Sequence, residues 1–304
     1  MLSVVAVVVT YNRIELLKEC IDALIAQTYP LYKIIIVDNF STDGTREWLQ
    51  KQVSEKCICH LLEKNIGGSG GFNRGIKEAC KEKCDYVLVL DDDCILNSNY
   101  IENLVNSYEE IINSLNIIDT KDSDISALCG TVLEGNKIAT NHRGYFVKHK
   151  IFKIFDYWKE HNVSEYQKKY LFCDLASFCG LMISKQSIDR VGYPKAEYFI
   201  KCDDLEYTMR LCKVGKIVNI NSSLLNHKVN NNELSNDLDW KYYYDTRNSI
   251  DMTKTNGLLF CTIKTVIKSY VVAILNIYSN TQSIKIWKRA ISDGFKGRLG
   301  KNDC

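Results

Sequence analysis

Three consecutive aspartates, Asp91, Asp92 and Asp93, directly follow the apolar run YVLVL. At a strand end, side chains two residues apart can point the same way, so Asp91 and Asp93 can bind one cation together. Mg²⁺ and Mn²⁺ prefer oxygen ligands and keep phosphate oxygens in their coordination shell. A bound ion would also offset the repulsion among adjacent carboxylates. The triplet therefore predicts a metal site for a phosphate-bearing ligand, and the alternative is a solvated acidic turn before the next helix.

A second acidic pair, Asp203 and Asp204, opens a stretch with helical spacing. Carboxylates stabilise the positive end of a helix dipole, so helix capping is the structural interpretation. The functional interpretation is a carboxylate that takes a proton from an acceptor hydroxyl. His227, in the stretch LLNHKV, ends a short apolar run further along. A lone histidine is usually structural, so its context must decide whether it binds metal.

The segment NIGGSGGFNRG, residues 65–75, is rich in glycine. Glycines let backbone N–H groups approach a ligand, and we expect a helix over residues 72–84 to point its N-terminus at this loop. Arg74 adds a cation. The segment lacks the Gly-Lys-Ser/Thr pattern of phosphate loops, so an ordinary nucleoside triphosphatase is not favoured. A tight turn is the alternative.

Strand and helix patterns alternate four times over roughly the first hundred residues. Unbroken β-branched runs such as VVAVVVT and KIIIVD predict strands buried on both faces. The alternation predicts right-handed βαβ units and a parallel sheet, with ligands at the carboxyl ends of the strands. Polar residues follow four of these strands at residues 10–13, 38–39, 65–71 and 91–93. We therefore expect the four loops to converge on one edge of the sheet.

From residue 125 the alternation breaks down into shorter strands, a helix over residues 203–214 and an aromatic helix around DWKYYYDTRN. We interpret residues 1–124 and residues 125–253 as the two halves of one domain. The tail, residues 254–304, is apolar but interrupted by Lys264 and Lys268. This pattern favours a basic amphipathic helical segment at a membrane interface, and a helix packed on the domain is the alternative.

The composition limits the partners and the compartment. A net charge of +2 gives no general attraction for nucleic acid, so we predict no nucleic-acid partner. Thirteen cysteines without a recognisable signal peptide predict reduced thiols in a cytoplasmic protein. A homo-oligomer is compatible with the sequence.

The motifs VVVTYNR, IIIVDNFSTDGT and LVLDDD resemble, in order and spacing, those of family-2 glycosyltransferases with the GT-A fold. NIGGSGGFNRG, DDLEYTMR, NHK and DWKYYYDTRN are closest to bacterial galactofuranosyltransferases and related rhamnosyltransferases, and the match covers residues 3–249. The resemblance implies an α/β fold with a Rossmann-like, mostly parallel sheet flanked by helices, followed by the C-terminal amphipathic segment. It also implies that residues 1–124 form the nucleotide-binding half and residues 125–253 the acceptor-binding half. Cys202 departs from the pattern, because galactofuranosyltransferases often have tryptophan there, and this leaves the acceptor open.

The resemblance implies specific roles in the chemistry. Asp91, Asp93 and His227 would bind Mn²⁺ or Mg²⁺. Asp204 would be the general base, with Asp203 as the other candidate.

The resemblance also implies the residues that contact the substrates, with Asp38 hydrogen-bonding the uracil or thymine ring. Trp240 and Tyr244 would contact donor or acceptor. The nucleotide and donor site would contain Thr10, Tyr11, Asn12, Arg13, Asp38, Asn65, Gly67, Gly68, Gly70, Gly71, Arg74 and Asp92.

The function implied is inverting, metal-dependent transfer of a sugar to a hydroxyl of a cell-surface polysaccharide, such as capsule or O-antigen, or of a lipid-linked glycan. UDP-galactofuranose is the favoured donor and dTDP-rhamnose the alternative. The basic tail would hold the protein at the inner face of the membrane through anionic lipids. A sugar nucleotidyltransferase is disfavoured because TYNRIE, and not a basic glycine-rich loop, follows the first strand. Intact acidic residues argue against an inactive nucleotide-sugar-binding scaffold.

Overall fold

The computed structural model describes residues 2–114, 125–148, 157–228, 238–275 and 281–302. The first half alternates strands with helices, as the β-branched runs and amphipathic spacing predict. Its elements are β1 (Val4–Thr10), α1 (Ile14–Ile25), β2 (Lys33–Asp38), α2 (Thr45–Gln52), β3 (Cys57–Leu61), α3 (Gly67–Ala79), β4 (Tyr86–Asp91), β5 (Cys94–Leu96) and α4 (Tyr100–Ser114).

The second half contains shorter strands and ends in three helices. Its strands are β6 (Ile125–Glu134), β7 (Lys137–Ile138), β8 (Arg143–Val147), β9 (Tyr157–Glu160), β10 (Tyr170–Cys173), β11 (Leu175–Ala176), β12 (Leu181–Ser184) and β13 (Lys216–His227). Its helices are α5 (Lys185–Val191), α6 (Asp203–Leu211), α7 (Leu238–Thr255), α8 (Leu259–Leu275) and α9 (Thr281–Lys296).

Both halves contribute to one ten-stranded sheet. Its order is β10-β13-β6-β12-β4-β1-β2-β3, with β5 paired to β13 and β7 to β6. The sheet is mixed, and its longest pairings, β6 with β13 and β1 with its two neighbours, are parallel. A separate three-stranded sheet has the order β11-β8-β9. The α/β architecture expected from the sequence is therefore confirmed.

Strand β1 lies at the centre of the core, and all seven of its residues are buried. Val4, Ala6 and Val8 pack on one face of the sheet with residues of α1 and α4. The alternate residues of β1 pack on the other face with Phe72 and Ile76 of α3. Burial on both faces explains the unbroken apolar run, because no residue of the strand meets water.

The order of the strands creates a crevice beside β1. The chain moves from β1 to β2 and β3 on one side and then returns to β4 on the other, and ligands bind at such a reversal. The parallel pairing of β1 with β4 sets Val9 opposite Asp91. Thr10 and the loop after it therefore reach the aspartate triplet.

Helix α3 begins at Gly67, five residues before the position predicted from the sequence. The prediction of a glycine-rich loop is wrong because most of these glycines lie within the helix. A Cβ atom at Gly71 would lie 2.5 Å from Val9 Cγ1, and one at Gly75 would lie 2.3 Å from Val7 Cγ1. The glycines let α3 pack closely on β1.

The tail forms two helices, α8 and α9, and the described part of it contacts α7. The hydroxyl groups of Thr246 and Ser269 lie 3.2 Å apart, and Tyr243 donates a hydrogen bond to Asp293 at 2.9 Å. The boundary predicted after residue 253 falls within the last turn of α7. Among the described ranges, no helix has the length and apolar character needed to cross a bilayer.

All twelve cysteines in the described ranges are free thiols. This agrees with the expectation of reduced cysteines. Seven of the twelve are buried, as is usual for cysteine acting as a small apolar residue.

We predict that Gly75→Ala lowers the free energy of unfolding by about 1–3 kcal/mol, because the new methyl group overpacks the contact with Val7. The matched control is Gly68→Ala in the same helix, where nothing lies within 4 Å of the added Cβ atom. We expect that variant to be unchanged or more stable by up to about 1 kcal/mol. Urea unfolding measures both, and equal stability of the two variants would contradict the packing account.

Candidate active site

Asp92 connects the aspartate triplet to the loop after β1. Its side chain is buried, and its Oδ2 accepts a hydrogen bond from Thr10 Oγ1 at 2.7 Å. The guanidinium group of Arg13 lies 3.4 Å from Asp92 Oδ1 and 2.7 Å from Asp93 Oδ2. Direct donor contact by Thr10 and Asp92 is therefore not favoured, because their polar atoms bind each other.

His227 is brought to the triplet by strand pairing. In the β5–β13 ladder His227 faces Cys94, and the Lys228 amide donates to the Asp93 carbonyl at 2.9 Å. As a result, His227 Nε2 lies 3.4 Å from Asp93 Oδ1. The structure thus brings together two of the three side chains predicted to bind metal.

Asp91 has different immediate neighbours. Its carboxylate lies within 4.8 Å of the thiols of Cys94 and Cys179. Burial, followed by the charges of Cys179 and Asp93, raises the pKa of Asp91 well above its ordinary value. Asp91 therefore ends β4 beside the Asp93–His227 pair as a partly exposed acid that has no cationic partner within hydrogen-bond distance in the described chain.

Glu134 and His142 also belong to the site, although the sequence motifs do not predict them. Glu134 Oε1 lies 3.3 Å from His227 Nδ1 and 3.4 Å from His142 Nε2. The two imidazole rings meet edge to face, with centroids 5.1 Å apart. Glu134 comes to lie beside His227 because the β6–β13 register sets Leu133 opposite Asn226. The sequence alone does not specify this register, so it gives no signal for these two residues.

The charges at this edge compensate one another. Burial alone would raise the pKa of Asp93, but His227 and Arg13 outweigh burial and lower it. Burial would lower the pKa of His227, yet Asp93 and Glu134 raise it to about 10. Without a metal ion, a protonated His227 and Arg13 therefore neutralise the ionised Asp93.

The donor types at this edge suit a divalent cation, although the donor atoms of Asp91, Asp93 and His227 do not all lie within 4.8 Å of one another in this conformation. Among the described residues, the sets that do are Asp91–Cys94–Cys179 and Glu134–His142–His227. Asp91, Asp93 and His227 offer carboxylate oxygens and an imidazole nitrogen, a set that suits Mn²⁺ and Mg²⁺. A cation would also reverse the unfavourable ionisation of Asp91, since a bound ion is the strongest local charge. Glu134 beside Nδ1 can fix the ring so that Nε2 remains for a metal, as carboxylates near metal-bound histidines do.

Asp203 and Asp204 begin α6, directly after an unusual turn at residues 198–202. Phe199, Lys201 and Cys202 have φ angles of 65°, 70° and 64°, a strained region for residues other than glycine. Asn248 of α7 holds the turn, because its Nδ2 donates to the carbonyl oxygens of Tyr198, Ile200 and Lys201 at 3.0, 2.9 and 2.9 Å.

Helix α3 holds the 198–202 turn from the other side. The Ser69 amide donates to the Phe199 carbonyl at 3.1 Å. Gly67, with φ of 77°, lies so close that a Cβ atom there would be 2.0 Å from this oxygen. Asn65 Oδ1 accepts from the Gly67 amide at 2.8 Å and so fixes the start of α3. The glycine-rich segment therefore positions the acidic pair.

The other residues predicted in this segment occupy different environments. Gly70 and Gly71 are buried against Ile66 and Val9, so the predicted contact with the donor is not favoured in this conformation. Gly68 has open space on its Cβ side and remains a candidate. Arg74 is half-exposed, and its guanidinium group forms an ion pair with Glu78 at 3.0 Å. None of its described contacts involves the aspartate triplet.

Burial raises the pKa of both carboxyl groups of the acidic pair. The pKa of Asp203 is about 7, with the charge of Asp204 adding to burial, and the pKa of Asp204 is about 6. Cys179 raises the pKa of Asp204 and also that of Asp91. The triplet and the acidic pair therefore both lie near Cys179.

The loops after β1 and β2 support each other. Asn12, with φ of 54°, accepts from the Thr42 amide at 2.7 Å, and its own amide donates to Ser41 Oγ at 2.8 Å. Asp38 is fully buried and accepts from Arg46 at 2.8 Å and from the Ser41 amide at 3.2 Å. Its proposed contact with a pyrimidine ring is therefore not favoured in this conformation.

Tyr11 is the aromatic residue of the predicted donor site, and its side chain is exposed to solvent. It is 45% exposed and follows β1 at the edge that carries the triplet. The prediction that it lines the nucleotide pocket is compatible with this position.

Tyr244 and Trp240 differ in exposure. Tyr244 is buried, its ring lies 5.1 Å from that of Phe199, and its hydroxyl accepts from the Asn302 amide. It therefore packs behind the 198–202 turn, and direct substrate contact is not favoured. Trp240 is 37% exposed near the start of α7 and can still meet a ligand.

The sheet order and the acidic carboxyl edge define the GT-A class of fold. Residues 5–125 match the sequence model described as glycosyl transferase family 2. An uncharacterised glycosyltransferase of Rickettsia typhi is 34% identical over 142 residues, which is 47% of this chain and 39% of that protein. The chain thus spans about two fifths of that relative's length.

Another relative covers more of the chain, and solved structures share the fold. Galactofuranosyltransferase GlfT1 of Mycolicibacterium smegmatis is 26% identical over 213 residues, 70% of this chain and 66% of that protein. Residues 1–349 of Staphylococcus aureus TarS, in complex with UDP-GlcNAc, give a TM-score of 0.60 at 14% identity, covering 97% of this chain and 81% of that one. GalNAc-T7 with UDP, GalNAc and Mn²⁺ gives 0.61 at 16% identity, covering 84% and 48%.

We predict that Glu134→Gln weakens Mn²⁺ binding about 10- to 100-fold, because His227 loses the carboxylate that orients its ring and raises its basicity. Calorimetric titration of the protein with MnCl₂ measures the change. Glu63→Gln removes an exposed carboxylate elsewhere and serves as the control. Unchanged Mn²⁺ affinity in Glu134→Gln would contradict this role.

Proposed function

We propose that the protein is an inverting, metal-dependent glycosyltransferase that moves galactofuranose from UDP-galactofuranose to a hydroxyl of a growing glycan. The observation that supports the proposal is that two acidic groups both lie near the Cys179 thiol. One is the Asp91–Asp93 edge with His227, suited to a cation and a diphosphate. The other is the Asp203–Asp204 pair, with pKa values of about 7 and 6.

Asp204 acts as the general base in this proposal. A carboxylate with a pKa of about 6 is ionised at neutral pH and is more basic than an exposed aspartate. It takes the proton of the acceptor hydroxyl while that oxygen forms a bond to the anomeric carbon of the donor. The bond from this carbon to the diphosphate oxygen breaks, and attack from the opposite face inverts the configuration. Asp203, with the higher pKa, is the second candidate.

The chain's other residues bind and orient the donor. Tyr11 and Arg13 follow β1 at the edge where the nucleotide would lie, and Gly68 leaves open space at the start of α3. A divalent ion bound by Asp91, Asp93 and His227 would stabilise the charge that develops on the leaving diphosphate.

The choice of donor rests on similarity. GlfT1, which is named as a galactofuranosyltransferase, aligns with 70% of this chain and so reaches into the half that carries the acidic pair. The titles of the structural neighbours include UDP and UDP-GlcNAc, which supports a uridine nucleotide. dTDP-rhamnose remains the alternative donor.

The proposed location is the inner face of the cell membrane, where the acceptor would be a cell-surface polysaccharide, such as capsule or O-antigen, or its lipid-linked precursor. Support comes from the charge and shape of the tail. From residue 255 onward the sequence has eight Lys or Arg and two Asp, and α8 exposes several apolar side chains. Anionic lipids attract nearby cationic side chains by about 1 kcal/mol each.

We predict that Asp204→Asn lowers turnover by about 10²-fold or more while donor binding is retained, because only the proton acceptor is lost. The assay follows release of UDP or dTDP from a panel of nucleotide sugars. The panel includes UDP-galactofuranose, dTDP-rhamnose and UDP-GlcNAc. UDP-galactofuranose should give the fastest release.

Asp203→Asn is the matched control, since it removes the neighbouring carboxyl and should lower turnover less. Normal turnover by Asp204→Asn with a large loss in Asp203→Asn would move the base to Asp203. Faster turnover of another panel member would replace the donor. Release of neither nucleotide from any donor would contradict the proposed function.

A further inference from the structure

A cavity of about 680 Å³ opens beside the acidic pair, within the size range of small-molecule sites. Cys202 and Leu205 form part of one wall, and they flank Asp203 and Asp204 in the sequence. Side chains of α7, α8, α9 and the β9 region form the remaining walls. Neither Asp203 nor Asp204 lines the cavity, so a ligand held there would have to extend past Cys202 and Leu205 to reach the acidic pair.

A buried donor without a partner lines the cavity. Trp287 of α9 is 3% exposed, and its indole Nε1 has no hydrogen-bond partner in the described chain. Buried N–H groups are almost always paired, so an unpaired one needs an explanation. An oxygen atom of a bound ligand would supply the missing acceptor.

The inner wall also offers an acceptor. The Asp245 carboxylate lies 3.8 Å from the thiol of Cys202, and this weak donor is its only side-chain partner among the described residues. Ligand hydroxyl groups are suitable donors for it. Tyr242, whose ring lies 6.0 Å from that of Trp287, adds an aromatic surface. An unpaired indole donor, a carboxylate with only a weak thiol donor and aromatic rings together suit a polyhydroxylated group such as a sugar.

Two lysines mark the outer part of the cavity. Lys264 and Lys268 lie one turn apart on α8, both are exposed, and both line the cavity. Neither forms an ion pair with any described residue, and like charges four residues apart repel. Two acidic residues line the cavity, and neither forms an ion pair with these lysines. Glu160 accepts a hydrogen bond from Thr140 at 2.7 Å, and Asp245 accepts from the Cys202 thiol at 3.8 Å. An anionic group of the ligand would relieve the repulsion.

The outward surface of α8 is apolar. Six of its exposed side chains recur at helical spacing: Leu259, Ile263, Ile267, Tyr270, Val271 and Ile274. Lys264 and Lys268 lie between this surface and the cavity. An anion held by the lysines would therefore be followed directly by an apolar surface that suits a hydrocarbon chain.

We propose that this cavity is the acceptor site and that it binds a lipid-linked sugar phosphate. The sugar lies near Trp287 and Asp245, the phosphate groups lie at Lys264 and Lys268, and the lipid chain follows the apolar surface of α8. The assignment rests on the proposed function, because the acceptor hydroxyl must reach Asp204.

The test uses the full-length chain and decyl diphosphate as the probe. Calorimetry is carried out below the micelle concentration and in EDTA, so that metal-dependent binding at the donor site does not contribute. We expect the double variant Lys264→Ala/Lys268→Ala to weaken binding at least 10-fold. Lys285→Ala/Lys288→Ala, which removes two exposed α9 lysines outside the cavity, is the matched control and should bind like the wild type.

Several outcomes would overturn the assignment. The first is failure of decyl diphosphate to bind the wild type, or equal binding to the first double variant. The second is binding of inorganic diphosphate, tested in parallel, as tightly as decyl diphosphate, which would remove the lipid part. The third is binding of phosphatidylglycerol vesicles without binding of the monomeric probe, which would assign the lysines to the bilayer surface.

Donor hydrolysis separates this proposal from the proposed function. UDP release without acceptor should be unchanged in Lys264→Ala/Lys268→Ala, since neither lysine belongs to the donor edge. Loss of probe binding with intact UDP release supports the acceptor site. The wild-type protein could bind the probe and yet release no nucleotide from any donor. That result would contradict the proposed function and would leave a lipid-phosphate site that serves another reaction.

Discussion

Three adjacent carboxylates at the end of a buried strand require positive charge, and much of the structure around them supplies it. Arg13 reaches Asp92 and Asp93 from the loop after β1, and His227 reaches Asp93 from the end of β13. These contacts connect the first strand of the chain with one of its last. Burial and the charges of Cys179 and Asp93 raise the pKa of Asp91, and the charge of His227 offsets them only in part. The same imbalance that would destabilise the edge makes it suitable for a divalent ion.

The second constraint is the strained 198–202 turn that carries the acidic pair. Three residues with positive φ persist because α3 and α7 hold the turn from opposite sides. Arg247 of α7 adds to this by donating to the Tyr198 carbonyl at 3.0 Å. Strain of this kind is retained where surrounding structure fixes it, and functional sites are the usual place. The turn thus positions Asp204 relative to the triplet without relying on a flexible loop.

The sequence was sufficient to predict the first half of the fold and the triplet. Unbroken apolar runs such as VVAVVVT predict strands buried on both faces. The observed bounds of β1 and β2 agree with the predicted ones. The prediction of a loop in the glycine-rich segment is wrong. Glycine disfavours helices in general, but here the close approach of α3 to Val7 and Val9 requires glycine. Glu134 and His142 could not be predicted, because they join the site through the register of β6 against β13. The cavity beside Trp287 depends on the packing of three helices that sequence periodicity does not specify.

The central claim is that the edge formed by Asp91, Asp93 and His227 binds a nucleoside diphosphate through a divalent ion. The most direct measurement is a calorimetric titration of the wild-type protein with UDP, carried out once with MnCl₂ and once with EDTA. The account predicts that saturable UDP binding in Mn²⁺ is lost or weakened at least 10-fold in EDTA. Equal UDP affinity under both conditions would contradict it.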